Sequence, residues 1–145
     1  MRKLGRRGLK LLKKLEGCSL EVYKDSGGFD TVGYGHKMVI TEEYENDTIT
    51  LDFAEELLLD DVKTAEWAVN KRVSGSLKPH EFDALCIFTF NIGITAFSES
   101  TLLSKLNEGD SLGIPEEMLR WIYVNGIKTK GLVRRRLATA KLFIN

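Results

Sequence analysis

Cysteine is scarce in this chain of 145 residues: there are two, Cys18 and Cys86, far apart and without C-x-x-C spacing. That argues against a disulfide scaffold and against a zinc site, since only His36 and His80 remain as further ligands and no pair falls at zinc-like spacing. Both cysteines have apolar neighbours and read as reduced, packed thiols. No staple is needed, because a domain of this length buries roughly two thirds of its unfolded surface. No apolar run approaches the ~20 residues of a membrane span. Residues 1–15 alternate leucine with lysine and arginine where a signal peptide would have an apolar stretch, so the expectation is a product that begins in the cytoplasm, without stable membrane insertion. Internal repeats, low-complexity tracts and linkers are missing, which makes residues 1–145 one structural unit.

Acidic residues are absent from both ends. Arg2, Lys3, Arg6, Arg7, Lys10, Lys13 and Lys14 precede the first acid, and none follows Glu117. The middle compensates: between Thr41 and Asp61 there are nine acids and no base, and the formal net charge is zero. If both termini fold onto one face, the protein presents a cationic surface to a polyanion. Nucleic acid, anionic lipid and an anionic wall polymer all fit that charge.

Leucines at 4, 11, 12 and 15 share one side of a helical wheel, so residues 3–15 predict an amphipathic helix ended by Gly17, with Glu16 at its last turn. Residues 20–23 and 31–34 then read as short strands joined by Ser26-Gly27-Gly28, a hairpin. A polar loop runs to Thr50, a helix N-cap. Beyond it, apolar residues at helical spacing predict one long helix over residues 50–72, crossing from a small β-containing lobe (about 16–50) to a helical lobe (1–15 and 70–145). Pro79 suits the first turn of the next helix, and residues 80–92 are apolar enough to be buried on most sides. Shorter helices are expected at residues 102–107, 115–123 and 132–143. The fold class is α+β.

Chemistry concentrates in residues 16–36. A glutamate at a helix end beside apolar neighbours, Glu16, loses hydration, which favours the protonated form and suits a proton donor. Asp25 opens the hairpin turn, where aspartate commonly binds backbone N–H groups; as an ionised group across a cleft from Glu16 it would orient water or attack a substrate. Thr31 is a good strand residue whose hydroxyl could hold a water beside Asp25. Asp30, the neighbouring carboxylate, points away from Thr31 by strand alternation. The glycine run around Gly33 and Tyr34 lacks both the G-x-G-x-x-G and the G-x-x-x-x-G-K-[ST] patterns, so it reads as tight turns and close approach of substrate to backbone, not as a nucleotide loop. His36 is assigned a structural hydrogen-bonding role. Asn91, near a helix end, is a candidate for reaching a sugar amide, or else a helix-terminal hydrogen bond. Arg134, Arg135 and Arg136 read as a solvated face, and Trp67 and Trp121 as core.

Glu16-Gly17, Tyr23-Lys24-Asp25, Gly28, Thr31 and Gly33-Tyr34-Gly35-His36 resemble the catalytic segment of the phage-type lysozymes, glycoside hydrolase family 24. In that family a glutamate, an aspartate nine residues later and a threonine six after that form the catalytic triad, and Glu16, Asp25 and Thr31 reproduce both spacings. The similarity extends through Phe90-Asn91-Ile92-Gly93, Arg120-Trp121 and Gly131-Leu132-Val133-Arg134-Arg135-Arg136, and is closest to the short soluble endolysins of phages of Gram-negative hosts. Residues 37–50 are shorter and more acidic than the family's usual connection.

The resemblance implies a two-lobed lysozyme fold with the active-site cleft between the lobes. It also implies hydrolysis of the β-1,4 bond between N-acetylmuramic acid and N-acetylglucosamine of bacterial peptidoglycan at the end of a phage cycle. Asn91, Gly33 and Tyr34 would bind substrate, with no cofactor, metal or nucleic acid. The enzyme would act as a monomer that depends on a holin to pass from the host cytoplasm to the periplasm. A membrane-active protein working through its cationic helices, and a lytic transglycosylase with the same acid, are the competing readings. The water-handling pair Asp25 and Thr31 argues against the second.

Overall fold

The computed structural model describes residues 1–145, which divide into two compact units: residues 11–63, and residues 1–10 with 64–145. Charge follows that division. The larger unit holds sixteen Lys and Arg against eight Asp and Glu, the smaller one five against thirteen. The acid-free C-terminal stretch and residues 1–10 of the acid-free N-terminal one therefore lie in the same unit, with Lys13 and Lys14 in the other.

Helix α1 (Arg6–Glu16) starts three residues later than the leucine pattern indicates. Its start is set from outside the helix. Asp83, buried on α4 (Pro79–Ile92), accepts the backbone N–H of Gly5 at 2.8 Å and of Gly8 at 3.1 Å, and Glu66 accepts that of Leu4. α1 has no acid in its own first turn, so these two carboxylates supply both the missing acceptors and the negative charge that a helix N-terminus favours. The glycine at position 8 is required by this contact: a Cβ there would stand 2.7 Å from Asp83 Cβ and Cγ. Gly17, at φ +67°, ends the helix in the left-handed conformation.

In the smaller unit, β1 (Ser19–Lys24), β2 (Asp30–Gly33) and β3 (His36–Lys37) form an antiparallel sheet in that order, with Tyr23 opposite Thr31 and Thr31 opposite Lys37. The loop after β3 returns along β1: Ile49 N–H donates to Leu20 C=O at 2.9 Å. Thr50 caps α2 (Leu51–Asp61) through its hydroxyl, which accepts from Phe53 N–H at 3.1 Å. Ala54 and Leu58 form the buried stripe of α2, which packs on β2 and β3.

The single helix expected over residues 50–72 is two, α2 and α3 (Lys63–Arg72), separated at Val62, where ψ is −15°. Apolar spacing carries straight through the break because Ala65, Ala68 and Val69 of α3 are as buried as the stripe of α2. In the larger unit α4 is buried over every residue from Phe82 to Thr89 and packs on α8 (Lys130–Ile144), with α5 (Ile94–Ser98), α6 (Thr101–Asn107) and α7 (Ile114–Met118) completing the bundle. The helix expected over 115–123 stops at Met118, and the hairpin β4 (Tyr123–Val124) and β5 (Ile127–Lys128) follows. Its turn is Asn125-Gly126, both with positive φ (+50° and +79°), the tight-turn chemistry that hairpins select. No helix is long and apolar enough to cross a membrane.

Three further expectations fail. Trp67 is 41% exposed, with the Arg72 guanidinium 5.6 Å from its ring centre, while Trp121 does pack edge-on against Phe88. Cys18 is exposed; Cys86 alone is packed, and burial pushes its thiol pKa up. Arg136 is 2% exposed and does not share the solvated face expected for the arginine run.

His36 ties the acidic loop to α2. Its Nδ1 lies 2.7 Å from Asp61 Oδ2 and its Nε2 2.9 Å from Glu42 Oε2, and Glu42 also accepts from Tyr44 O–H at 2.6 Å. With a carboxylate at each nitrogen both must donate, which only the imidazolium can do. Burial presses His36 toward neutrality, but the hydrogen bonds to Asp61 and Glu42 outweigh it and raise its pKa.

Two outcomes are expected from these contacts. Asp83→Ala leaves the N–H groups of Gly5 and Gly8 unpaired and costs about 2–4 kcal/mol in urea unfolding, whereas Gly8→Ala costs about 1–3 kcal/mol through overpacking. For His36→Asn, the loss of stability relative to the parent is largest just below about pH 6.5, where the parent's imidazolium is charged. It shrinks as pH rises through the raised pKa of the folded state, and it also shrinks at lower pH as Asp61, whose pKa burial raises, takes up a proton. A pH-independent difference in unfolding midpoint would show that the ion pairs are not what holds this loop.

Candidate active site

Glu16, Asp25 and Thr31 all lie in the smaller unit, on three successive segments. Glu16 is the last residue of α1 and is half-buried. Its Oε2 rests against Gly35 in the turn from β2 to β3; a Cβ at that position would come within 3.3 Å of the carboxylate. Gly35 also holds φ at +76°. Glycine is thus favoured there by its conformation, and the turn forms one wall beside the acid, close enough that a Cβ would press on the carboxylate.

Asp25 follows β1. Its Oδ1 accepts the backbone N–H of Gly27 and of Phe29, each at 2.9 Å, and its Oδ2 stands 3.9 Å from Lys37 Nζ on β3. The turn-forming reading of this aspartate is therefore correct for one oxygen and leaves the other available. Thr31 is 3% exposed, and its hydroxyl donates to Phe29 C=O at 3.0 Å. That carbonyl also accepts Asp25 N–H at 2.9 Å. The backbone of Phe29 thus holds Asp25 and Thr31 together: its N–H fixes one side chain and its C=O fixes the other. With its proton committed, the Thr31 oxygen offers lone pairs, and Asp25 Oδ2 does the same.

Asp30 is engaged elsewhere, 2.8 Å from Lys24 Nζ on an exposed edge. Gly33 is buried with φ +68°, and a Cβ there would lie 3.3 Å from that of Ala54 on α2. Packing accounts for this glycine. Tyr34 is 9% exposed, with Lys13 Nζ 5.8 Å from its ring centre, and Lys13 itself pairs with Glu55. No three His, Cys, Asp or Glu side chains converge to hold a metal ion.

Asn91 is in the larger unit, half-exposed near the end of α4, and its Oδ1 accepts from Arg136 Nη2. Arg136 also donates from Nε to Trp121 C=O at 2.8 Å and lies 5.4 Å from the Phe88 ring centre. Sequence reasoning missed the Phe29 backbone and Lys37 beside Asp25, and the bond from Arg136 to Asn91. The first carries no side-chain signal, the second is revealed only by register with Thr31, and the third is hidden in a run of identical residues.

Residues 13–139 match the family model described as phage lysozyme. The chain is 39% identical over 144 residues to the endolysin of Acyrthosiphon pisum secondary endosymbiont phage 1, covering 97% of each. It is 36% identical over 123 residues to the endolysin of Salmonella phage P22, covering 83% of this chain and 84% of that one. Among solved structures, the endolysin from Escherichia coli O157:H7 phage FAHEc1 superposes with a TM-score of 0.91 at 38% identity, over 99% of this chain and 94% of that one. The muramidase domain of SpmX from Asticaccaulis excentricus superposes with a TM-score of 0.90 at 34% identity, over 100% and 99%. Relatives that share this much sequence over nearly their whole length, on the same arrangement of helices and small antiparallel sheets, leave one assignment: the chain belongs to the phage lysozyme family.

Proposed function

We propose that Glu16, Asp25 and Thr31 carry the chemistry of this phage-type lysozyme, a peptidoglycan-hydrolysing glycoside hydrolase of the endolysin kind. The bond cut is the β-1,4 link between N-acetylmuramic acid and N-acetylglucosamine. Glu16 donates its proton to the glycosidic oxygen as the bond to the anomeric carbon breaks. A water held by two acceptors, Asp25 Oδ2 and Thr31 Oγ1, directs a lone pair at that carbon and gives up its proton to Asp25. The observation that carries this reading is the Phe29 backbone, which holds the aspartate and the threonine as a pair of acceptors, while Gly35 makes room for the acid.

Asn91 serves as a substrate contact. The enzyme works as a monomer, waits in the host cytoplasm and reaches the wall once a holin opens the inner membrane. Its cationic unit favours approach to an anionic polymer.

Glu16→Gln lowers the release of reducing ends from purified peptidoglycan at least about 10²-fold, the scale of a lost proton transfer, while the protein still unfolds cooperatively. Asp25→Asn is the sharper variant. An asparagine oxygen still accepts from Gly27 and Phe29, so the loop stays and activity goes. Mass spectrometry of the products is expected to show reducing N-acetylmuramic acid ends; anhydro ends, or full activity in Glu16→Gln, would overturn the mechanism.

A further inference from the structure

Arg136 is a cation in an awkward place. It is 2% exposed, its Nη1 has no hydrogen-bond partner, and burial together with the like charge of Arg135 lowers its pKa to about 10. A buried charge that lacks an opposite partner weakens a fold unless something else requires it. A leucine or methionine would pack on Phe88 without that burden. The requirement is visible in what the guanidinium holds: the carbonyl oxygen of Trp121 and the side-chain oxygen of Asn91.

A carboxamide has two faces of nearly equal shape, one accepting and one donating, and a half-exposed asparagine can flip between them. Arg136 removes that freedom. A guanidinium has only donors, so it accepts the Asn91 oxygen as neighbour and rejects the amide nitrogen. Asn91 NH2 is left pointing away from Arg136 with both N–H bonds uncommitted among the hydrogen bonds of the structure. Two parallel donors suit a carbonyl oxygen.

We propose that Arg136 is a positioning residue that locks Asn91 as a donor to an amide carbonyl oxygen of the substrate. This rests on the reading of the chain as a peptidoglycan hydrolase but not on the identity of its catalytic acid. Peptidoglycan offers such carbonyls from two sources, the acetamido groups of the sugars and the peptide stems.

The test is binding of soluble glycan fragments, by calorimetry, in the Glu16→Gln background, where turnover does not intrude. Asn91→Asp keeps an oxygen for Arg136 and gives the buried cation a counter-charge, so its unfolding midpoint is expected to equal or exceed that of its background. It has no donor left, so binding weakens about tenfold or more, and added salt does not restore it, as it would relieve simple charge repulsion. Arg136→Met weakens binding to a similar degree, and Arg136→Lys, which retains one donor group, recovers part of the loss.

Unaltered binding in Asn91→Asp, or a loss that salt abolishes, overturns the proposal. Unaltered binding in Arg136→Met does so as well. If Arg136→Met fails to fold, Asn91→Asp and Arg136→Lys decide. A loss seen also on strands stripped of peptide identifies the acetamido carbonyl, and one confined to peptide-bearing fragments identifies the stem. Full activity of the Glu16→Gln background would instead refute the assigned acid and leave the Asn91 result standing.

Discussion

A carboxylate buried in α4 holds the first turn of α1. Asp83 takes two backbone N–H groups that the helix cannot satisfy by itself, and the glycine at position 8 admits it. Because α1 is otherwise a strongly basic segment with no acid in its first turn, its N-terminus would be both unpaired and electrostatically unfavourable without this contact. The residue at the other end of that helix is Glu16. The start of the helix and its register follow from contacts made at Gly5 and Gly8, eleven and eight residues earlier. Gly5 and Gly8, against which the Asp83 side chain rests, are the condition for α1 being anchored.

The sequence made some of this legible and hid the rest for identifiable reasons. Patterns that depend on neighbours along the chain were readable: Thr50 as a cap, Pro79 at a helix start, Ser26-Gly27-Gly28 as a hairpin loop, and the buried run of α4. Patterns that depend on which core a face meets were not. The apolar stripe of α2 and α3 has one period, so the interruption at Val62 leaves no trace in spacing. Trp67 falls at a core-like position yet lies against Arg72 at the surface. Asn125-Gly126 was a readable turn, but two-residue strands gave it too little flanking alternation to stand out.

At the candidate site, the spacing of Glu16, Asp25 and Thr31 was visible through family resemblance, and the wiring between them was not. Residue identity tells which side chains can act as acid or acceptor. It does not tell that Gly35 is the neighbour of the glutamate, or that the backbone of one residue, Phe29, serves both of the other two. The same limit applies to Arg136, which is one of three consecutive arginines and differs from them only in where α8 turns it.

The Phe29 linkage has an evolutionary meaning. The aromatic side chain at this position is 59% exposed and makes none of the hydrogen bonds that Phe29 contributes to Asp25 and Thr31; its backbone N–H and C=O make them. Most replacements at position 29 would leave those bonds in place, so the position is free to drift while the geometry it maintains stays constant. Proline alone among the natural amino acids would remove the N–H. What a replacement there would change is the ring under Lys37 Nζ, 5.2 Å from its centre, and not the backbone bonds through which the proposed water-binding pair is aligned.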